Sequence, residues 1–436
     1  MRQLHSICNN SSNLIKHRFL NAMSKIQTIY ISKFWGDKDF QIGLNPDTNF
    51  LIGPNGTGKT TIISILTSTL RLDIGSLMHL PFAEVLITFN DTSYIGVKKK
   101  NGEDGPGIIY SIKIREDGVA EFPLNGYEFE RLGRRIGPRY MYHHPILTQI
   151  KNRIDTLVRL SWVSVNRTSI LSEEPERDSL IPDLVLDKLS KDLTGYFSQL
   201  QNQSNIETER FQKYIFTSLL DVIDNQQDLT QSLSADYEPI KRKLTSIYNT
   251  FSIPESSEKI SSFYEGLKHC QDSLIKTKHI GVKDFSFFFN QLRIKSIIKE
   301  WSTVTNKQKR IFEKRDLFLE IIKDLFQHKT LIVSPSNELM VEGEDGHRFG
   351  ISYLSSGERQ LLIILGQALL QGRGENFVYI ADEPELSLHI EWQEKLVSSI
   401  RRLNSDSQII FATHSPDIVG PYQTKTIRID KLVYGE

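Results

Sequence analysis

Cysteine is almost missing from this chain: Cys8 and Cys270 are the only two in 436 residues, and no CxxC pair exists. That excludes a disulfide framework and a cysteine-built zinc site, and it suits a reducing, cytoplasmic setting. Long apolar runs are missing too. No stretch approaches the roughly 18 residues that a membrane span requires, so no membrane partner is expected. Residues 1–23 are polar and lack the apolar centre of a secretory signal. They are expected to form a flexible N-terminal arm, with Met23 as an alternative start because strand-like sequence begins at Ile26. Net charge is absent as well: 53 basic residues balance 53 acidic ones. Bulk electrostatics therefore selects neither nucleic acid nor membrane, and any such contact must come from a local patch. What remains, 39% apolar and 24% charged residues, is enough to bury a core in one large or two moderate globular domains.

Three segments differ in texture. Over residues 24–180, alternation at Ile29 and Ile31 with a shifted Phe34 predicts a strand, and a second is expected near Phe40–Leu44. Asn49–Ile52 reads as a short buried strand, and Ile62, Ile63, Ile65, Leu66 and Leu70 have helical spacing. Four β-rich runs between Glu84 and Phe122, separated by turns such as Asn90-Asp91 and Asp117-Gly118, predict an antiparallel subdomain. The run Lys98-Lys99-Lys100 is expected at a charged hairpin tip, and Leu160–Val165 as another core strand. Residues 181–328 carry few glycines or prolines and are expected to be helical, breaking near Pro239, Pro254 and Gly281. No heptad persists there, so a bundle or short hairpin is expected over a long coiled-coil arm. Residues 329–436 return to strands at Leu331–Val333, Leu339–Glu342, Phe377–Ala381, Gln408–Ala412 and Ile427–Val433, with a helix at Leu388–Leu403.

The chemistry sits in two groups of residues about 300 positions apart. Gly53-Pro54-Asn55-Gly56-Thr57-Gly58-Lys59-Thr60 fits the GxxxxGK[ST] pattern between a strand and a helix. Glycines let successive backbone N–H groups face phosphate oxygens, and the helix adds its positive end. Asn55 to Thr61 then line a nucleotide, with Lys59 on the β- and γ-phosphates and the Thr60 hydroxyl on Mg²⁺. Far downstream, an apolar strand ends in Asp382-Glu383. Beside a metal and a triphosphate the two carboxylates divide the work: Asp382 holds Mg²⁺ and Glu383 orients and deprotonates the attacking water. His414 ends the next strand, where it can hydrogen-bond a γ-phosphate and register its loss. Leu354-Ser355-Ser356-Gly357-Glu358 opens a helix. Taken alone, Ser355 with Glu358 is an ordinary helix cap; ahead of the carboxylate strand, Ser355 and Gly357 become a second phosphate contact.

In this order the motifs resemble those of ABC-type ATPase heads, over roughly residues 24–170 and 330–433. The string Asp382-Glu383-Pro384-Glu385-Leu386-Ser387-Leu388-His389 is similar to the branch that holds the SMC, RecF and OLD ATPases, whereas transporters usually carry aspartate where His389 stands. The resemblance implies an α/β fold: a P-loop ATPase head with a β-subdomain and a helical insertion. Residues 24–180 and 329–436 would form its two halves and 181–328 the insertion. It implies ATP and Mg²⁺ as cofactors. It also implies a homodimer or higher homo-oligomer in which Ser355 and Gly357 of one copy, the signature loop, complete the neighbour's site. Where the family carries a glutamine, this chain has Phe89-Asn90. Short-armed ATPases of anti-phage systems such as PARIS, Septu and some retrons look alike in this way. The expected role is a regulatory ATPase that controls a separate effector, a nuclease. The alternative is a RecF-like ATPase binding DNA itself, through the basic cluster at Arg131, Arg134, Arg135 and Arg139.

Overall fold

The computed structural model describes residues 24–102, 105–125, 144–164, 181–220, 238–251, 253, 256–277, 281–371 and 377–434. The arm expected over 1–23 and the cluster at Arg131–Arg139 lie outside them. The chain divides into two compact units, 1–194 with 317–436, and 195–316.

Along the chain run β1 (Ile26–Phe34), β2 (Lys38–Gly43), β3 (Thr48–Ile52), α1 (Lys59–Arg71), α2 (Ile74–His79), β4 (Glu84–Phe89), β5 (Tyr94–Gly102), β6 (Gly105–Lys113) and β7 (Ala120–Asn125). Next come α3 (Pro145–Leu157), β8 (Arg159–Ser164), α4 (Ile181–Ser218), α5 (Glu238–Thr250), α6 (Ser256–Thr277) and α7 (Val282–Leu325). The last part holds β9 (Lys329–Val333), β10 (Leu339–Gly343), β11 (Arg348–Gly350), α8 (Ser356–Gln371), β12 (Phe377–Asp382), α9 (Ile390–Leu403), β13 (Gln408–Ala412), α10 (Pro416–Val419), β14 (Thr426–Arg428) and β15 (Val433–Tyr434).

The larger unit is built on three sheets. A five-stranded parallel sheet runs β14-β3-β13-β12-β8, a seven-stranded antiparallel sheet runs β15-β2-β1-β4-β5-β6-β7, and β11-β10-β9 form a small third. The parallel sheet reads as unbroken apolar runs because both its faces are covered: every residue of β12 and β13 is buried. Helix α1 packs on β8, β12 and β13 through Ile62, Ile63, Ile65, Leu66 and Leu70. The shift at Phe34 is a bulge, where pairing with β2 slips between Ile31 and Phe34 and Lys33 takes a positive φ of 49°. Gln408 fastens the two large sheets together. Its side chain accepts from the Ile26 N–H at 2.9 Å and donates to the Ile26 and Asn45 carbonyls at 2.8 Å each.

The β-rich runs form the antiparallel sheet expected of them, and β4 pairs with β1 from Ile26 to Ser32, so they continue the sheet of β1. Two expectations need correction. Lys99 is no solvated hairpin tip. Its ammonium donates to the carbonyls of Met78 and Leu80 at 2.9 and 2.5 Å and lies 4.6 Å from the centre of the Phe82 ring. There it binds two carbonyls at the end of α2. The run Ile427–Val433 is not one strand. A 3₁₀ turn at Ile429–Lys431, anchored by fully buried Ile429, moves the chain from β14 in the parallel sheet to β15 in the antiparallel one.

The smaller unit is a helical bundle. Phe211, Leu244, Ile247, Ile260, Tyr264, Leu267, Ile298 and Val304 form its buried core, and Trp301 lies against Phe211 with ring centres 4.8 Å apart. Pro239 falls in the first turn of α5, where the missing N–H costs nothing.

Candidate active site

Parallel strands β3, β13 and β12 are neighbours in one sheet, so all three end at the same edge. Open α/β sheets bind ligands outside the carboxyl ends of such strands. The glycine loop leaves β3, the carboxylates end β12, and His414 lies just beyond β13.

Helix α1 starts at Lys59, with Gly58 as its cap at φ 93°. A Cβ on Gly58 would also stand 2.7 Å from the Phe34 ring, so both backbone and space require glycine. Asn55 and Gly56 are exposed at the crest. The Thr57 hydroxyl closes the loop by donating to the Pro54 carbonyl at 2.9 Å, and Thr61 follows in the first turn. The Lys59 ammonium donates to the Gly53 and Pro54 carbonyls at 2.7 and 3.0 Å. Burial pulls its pKa below the usual lysine value, while Glu383, Asp382 and Asp430 pull the other way.

The Thr60 hydroxyl donates to Asp382 Oδ1 at 3.3 Å. Residues 322 positions apart are thereby in contact. Burial, together with the Glu383 and Glu385 carboxylates, raises Asp382 to about 6, against the Thr60 hydrogen bond and the Lys59 charge. A carboxylate that resists ionisation beside a hydroxyl donor is what a cation would relieve, so these residues fit Mg²⁺. Mg²⁺ usually keeps water and phosphate oxygens around one or two protein ligands. Among the described residues no cluster of three or more His, Cys, Asp or Glu could hold a metal ion.

The sign of the Asp382 effect can be measured. Its folded value, about 6, lies above the ordinary 3.8, so the folded chain holds the extra proton. This group costs nothing below about pH 4, costs progressively more as pH rises to about 6, and its full cost stands above that. The cost is on the order of 2 kcal/mol. Asp382→Asn is therefore expected to raise the melting midpoint of the metal-free, nucleotide-free protein at pH 8 by about 2 °C. It should also flatten the pH dependence between 4 and 7; calorimetry across that range checks both.

Glu383 follows Asp382 in the left-handed region, at φ 49°, with its N–H donating to the Ala412 carbonyl at 2.8 Å. Such a backbone costs energy for glutamate and fixes where the side chain emerges. Its Oε1 stands 4.0 Å from His414 Nε2.

Ser355 and Gly357 stand at the start of α8. Ser355 caps the helix: its Oγ accepts from the Glu358 N–H at 3.3 Å, and its own N–H donates to Glu358 Oε2 at 2.8 Å. Burial pushes the Glu358 carboxyl up, but the Lys329 ammonium at 2.9 Å and Ser355 outweigh it and hold it below the usual range. Gly357 is buried. A Cβ there would stand 2.3 Å from the Ser387 carbonyl oxygen and 3.3 Å from the Trp392 ring. Gly357→Ala must push apart two backbones, at a cost of ~2–3 kcal/mol. The expected result is a melting midpoint several degrees lower, read by calorimetry.

Sequence reasoning gave no role to Glu385, whose Oε1 accepts from Thr413 Oγ1, His414 N and Ser415 N at 2.8, 2.8 and 3.2 Å. Its place two residues after Glu383 was the available signal. Asp430, 3.4 Å from where a Cβ of Gly53 would stand, was hidden because a 3₁₀ turn interrupts the expected last strand. Asn90, near where the resemblance would put a glutamine, spends its side-chain oxygen on the Lys25 N–H at 3.0 Å.

A family described as "AAA domain, putative AbiEii toxin, Type IV TA system" matches residues 48–420. Structural maintenance of chromosomes protein 2 of Saccharomyces cerevisiae is 23% identical over 259 residues, 56% of this chain and 21% of that protein. The chain thus spans about a fifth of that relative's length. The Smc head domain of Pyrococcus furiosus, solved with an extended coiled coil bound to the C-terminal domain of ScpA, aligns at 16% identity over 91% of both chains, with a TM-score of 0.38. The Smc head domain with a coiled coil and joint from Pyrococcus yayanosii aligns at 16% identity over 91% of this chain and 93% of that one, with a TM-score of 0.34. The family match spans the glycine loop, Ser355, Gly357, both carboxylates and His414, and the chain belongs to that family of AAA domains.

Proposed function

We propose that this chain binds Mg·ATP and hydrolyses it to ADP and phosphate, as a regulatory ATPase that oligomerises and controls a separate effector, a nuclease, in anti-phage defence. In this reading residues 24–180 and 329–436 form the head, residues 181–328 are its insertion, and the protein works in the cytoplasm. The observation that carries the ATPase reading is the meeting of Lys59, Thr60, Asp382, Glu383 and His414 at one edge of one sheet. Asp382 and Thr60 would hold Mg²⁺, which neutralises phosphate charge when bound. Lys59 holds the phosphate oxygens in place. Glu383 orients a water and accepts its proton, and His414, within reach of Glu383, keeps that carboxylate aligned. Ser355 and Gly357 would act on a neighbouring copy's nucleotide. The toxin–antitoxin description of the family supports a protein that works with a second gene product.

Phosphate release by the purified chain tests the first part. The second is tested by sizing in solution with and without a non-hydrolysable ATP analogue, and by co-purification with the products of neighbouring genes. Phosphate release that needs Mg²⁺, with an ATP-dependent rise in mass and a stable partner, is the expected result. A monomer under all conditions with no partner overturns the regulatory part. The chromosome-maintenance relative favours a second reading, direct DNA binding. It predicts salt-sensitive, ATP-dependent binding that Arg134→Glu with Arg135→Glu removes.

A further inference from the structure

We infer that Glu385 is a positioning residue that sets the loop carrying His414, and with it the approach of His414 to Glu383. The inference deepens the ATPase reading and rests on it. Glu385 Oε1 gathers three donors from one short segment: the Thr413 hydroxyl and the N–H groups of His414 and Ser415. Ser415 N also reaches Thr413 Oγ1 at 2.9 Å, so the segment is curled around this single oxygen. A second clamp lies beside it. Ser415 Oγ donates to Gln393 Oε1 at 2.6 Å, and Gln393 Nε2 donates to the Leu388 carbonyl at 2.9 Å. The histidine segment is therefore held at two points, by Glu385 directly and by Gln393 of α9, itself tied to the Leu388 carbonyl.

Chemistry explains why a carboxylate stands here. Three converging donors need an acceptor that carries no hydrogen, and a charged acceptor makes the stronger bonds. The other oxygen, Oε2, is enclosed and makes no hydrogen bond among the described residues. Only the acceptor at Oε1 is in use, and a glutamine can supply it. Glu385 touches no reacting atom in this scheme. It acts through the 4.0 Å approach of Glu383 Oε1 to His414 Nε2, which the Glu383 N–H to Ala412 bond fixes from one side only.

The test compares Glu385→Ala with Glu385→Gln in the full chain. Glu385→Ala is expected to lower kcat by at least about 30-fold with KM for ATP within about 3-fold of the parent, and Glu385→Gln to recover most of that loss. A second readout needs no turnover. In histidine-labelled protein the His414 imidazole resonances, assigned with His414→Gln, are expected to shift when Glu383→Gln is introduced, and to stop responding in the Glu385→Ala background. A wild-type rate in Glu385→Ala overturns the inference. So does a parallel loss of ATP affinity and melting temperature that Glu385→Gln fails to restore, or an unchanged resonance response. If the parent chain itself releases no phosphate, the ATPase reading has failed, and the resonance experiment alone decides the role of Glu385.

Discussion

Glu383→Gln is expected to bind ATP at least as tightly as the parent chain while losing about 100- to 10,000-fold in turnover, the usual share of a positioned general base. Affinity should survive for two reasons. The bond that places residue 383 is its own backbone N–H to Ala412, which the substitution leaves alone. The Glu383 charge also acts on both Lys59 and Asp382, so neutralising it removes a repulsion from an incoming triphosphate. Turnover should collapse because glutamine keeps the shape and cannot take a proton. Phosphate release against equilibrium binding of a fluorescent ATP analogue separates the two. If binding and turnover fell together, Glu383 would be holding the site together and the water would have another base.

Lys59→Ala is expected to weaken ATP binding by about 100-fold or more, the scale of losing a charge-assisted contact in a poorly solvated site. Lys59 is 5% exposed and surrounded by Glu383, Asp382 and Asp430. Without its cation, three acidic groups would meet the triphosphate with no fixed positive charge between them. The fold itself should tolerate the change, since the Gly53 and Pro54 carbonyls it releases lie at a solvent-facing loop. Ligand-linked stabilisation gives a clean reading. ATP should raise the melting midpoint of the parent and of Glu383→Gln, and leave Lys59→Ala unmoved. A variant still stabilised by ATP would mean that the backbone N–H groups of the loop suffice.

The features legible in the sequence were those whose cause is local. A buried strand running into glycines and a helix is announced by Asn49–Ile52, Gly58 and Ile62 together, because each residue meets a requirement of its own neighbourhood. The strand before Asp382 is equally plain, since burial on both faces demands an unbroken apolar run. What stayed hidden depends on partners far away in the chain. Nothing near Val85 says that it will pair with Ile31 and so continue the sheet of β1. Lys99 looked solvated because the carbonyls it caps belong to Met78 and Leu80. Gly357 looked like a phosphate contact, and the part of its environment that forbids a side chain is the Ser387 carbonyl, thirty residues on. Glu385 was visible as a letter, but its three donors come from the end of another strand.

The placement of β3 has a consequence for biosynthesis. Its two hydrogen-bonding edges are met by β13 and β14, at residues 408–412 and 426–428. A ribosome adding about 5–20 residues per second needs roughly 20–70 seconds to travel from Ile52 to Gln408. Throughout that interval the nascent Thr48–Ile52 segment, ending in three apolar residues and with neither edge covered, waits for strands that do not yet exist. Messages or polypeptides cut short before residue 408 would release a glycine loop with no sheet behind it, and such fragments are the ones a cell's chaperones and proteases should meet first.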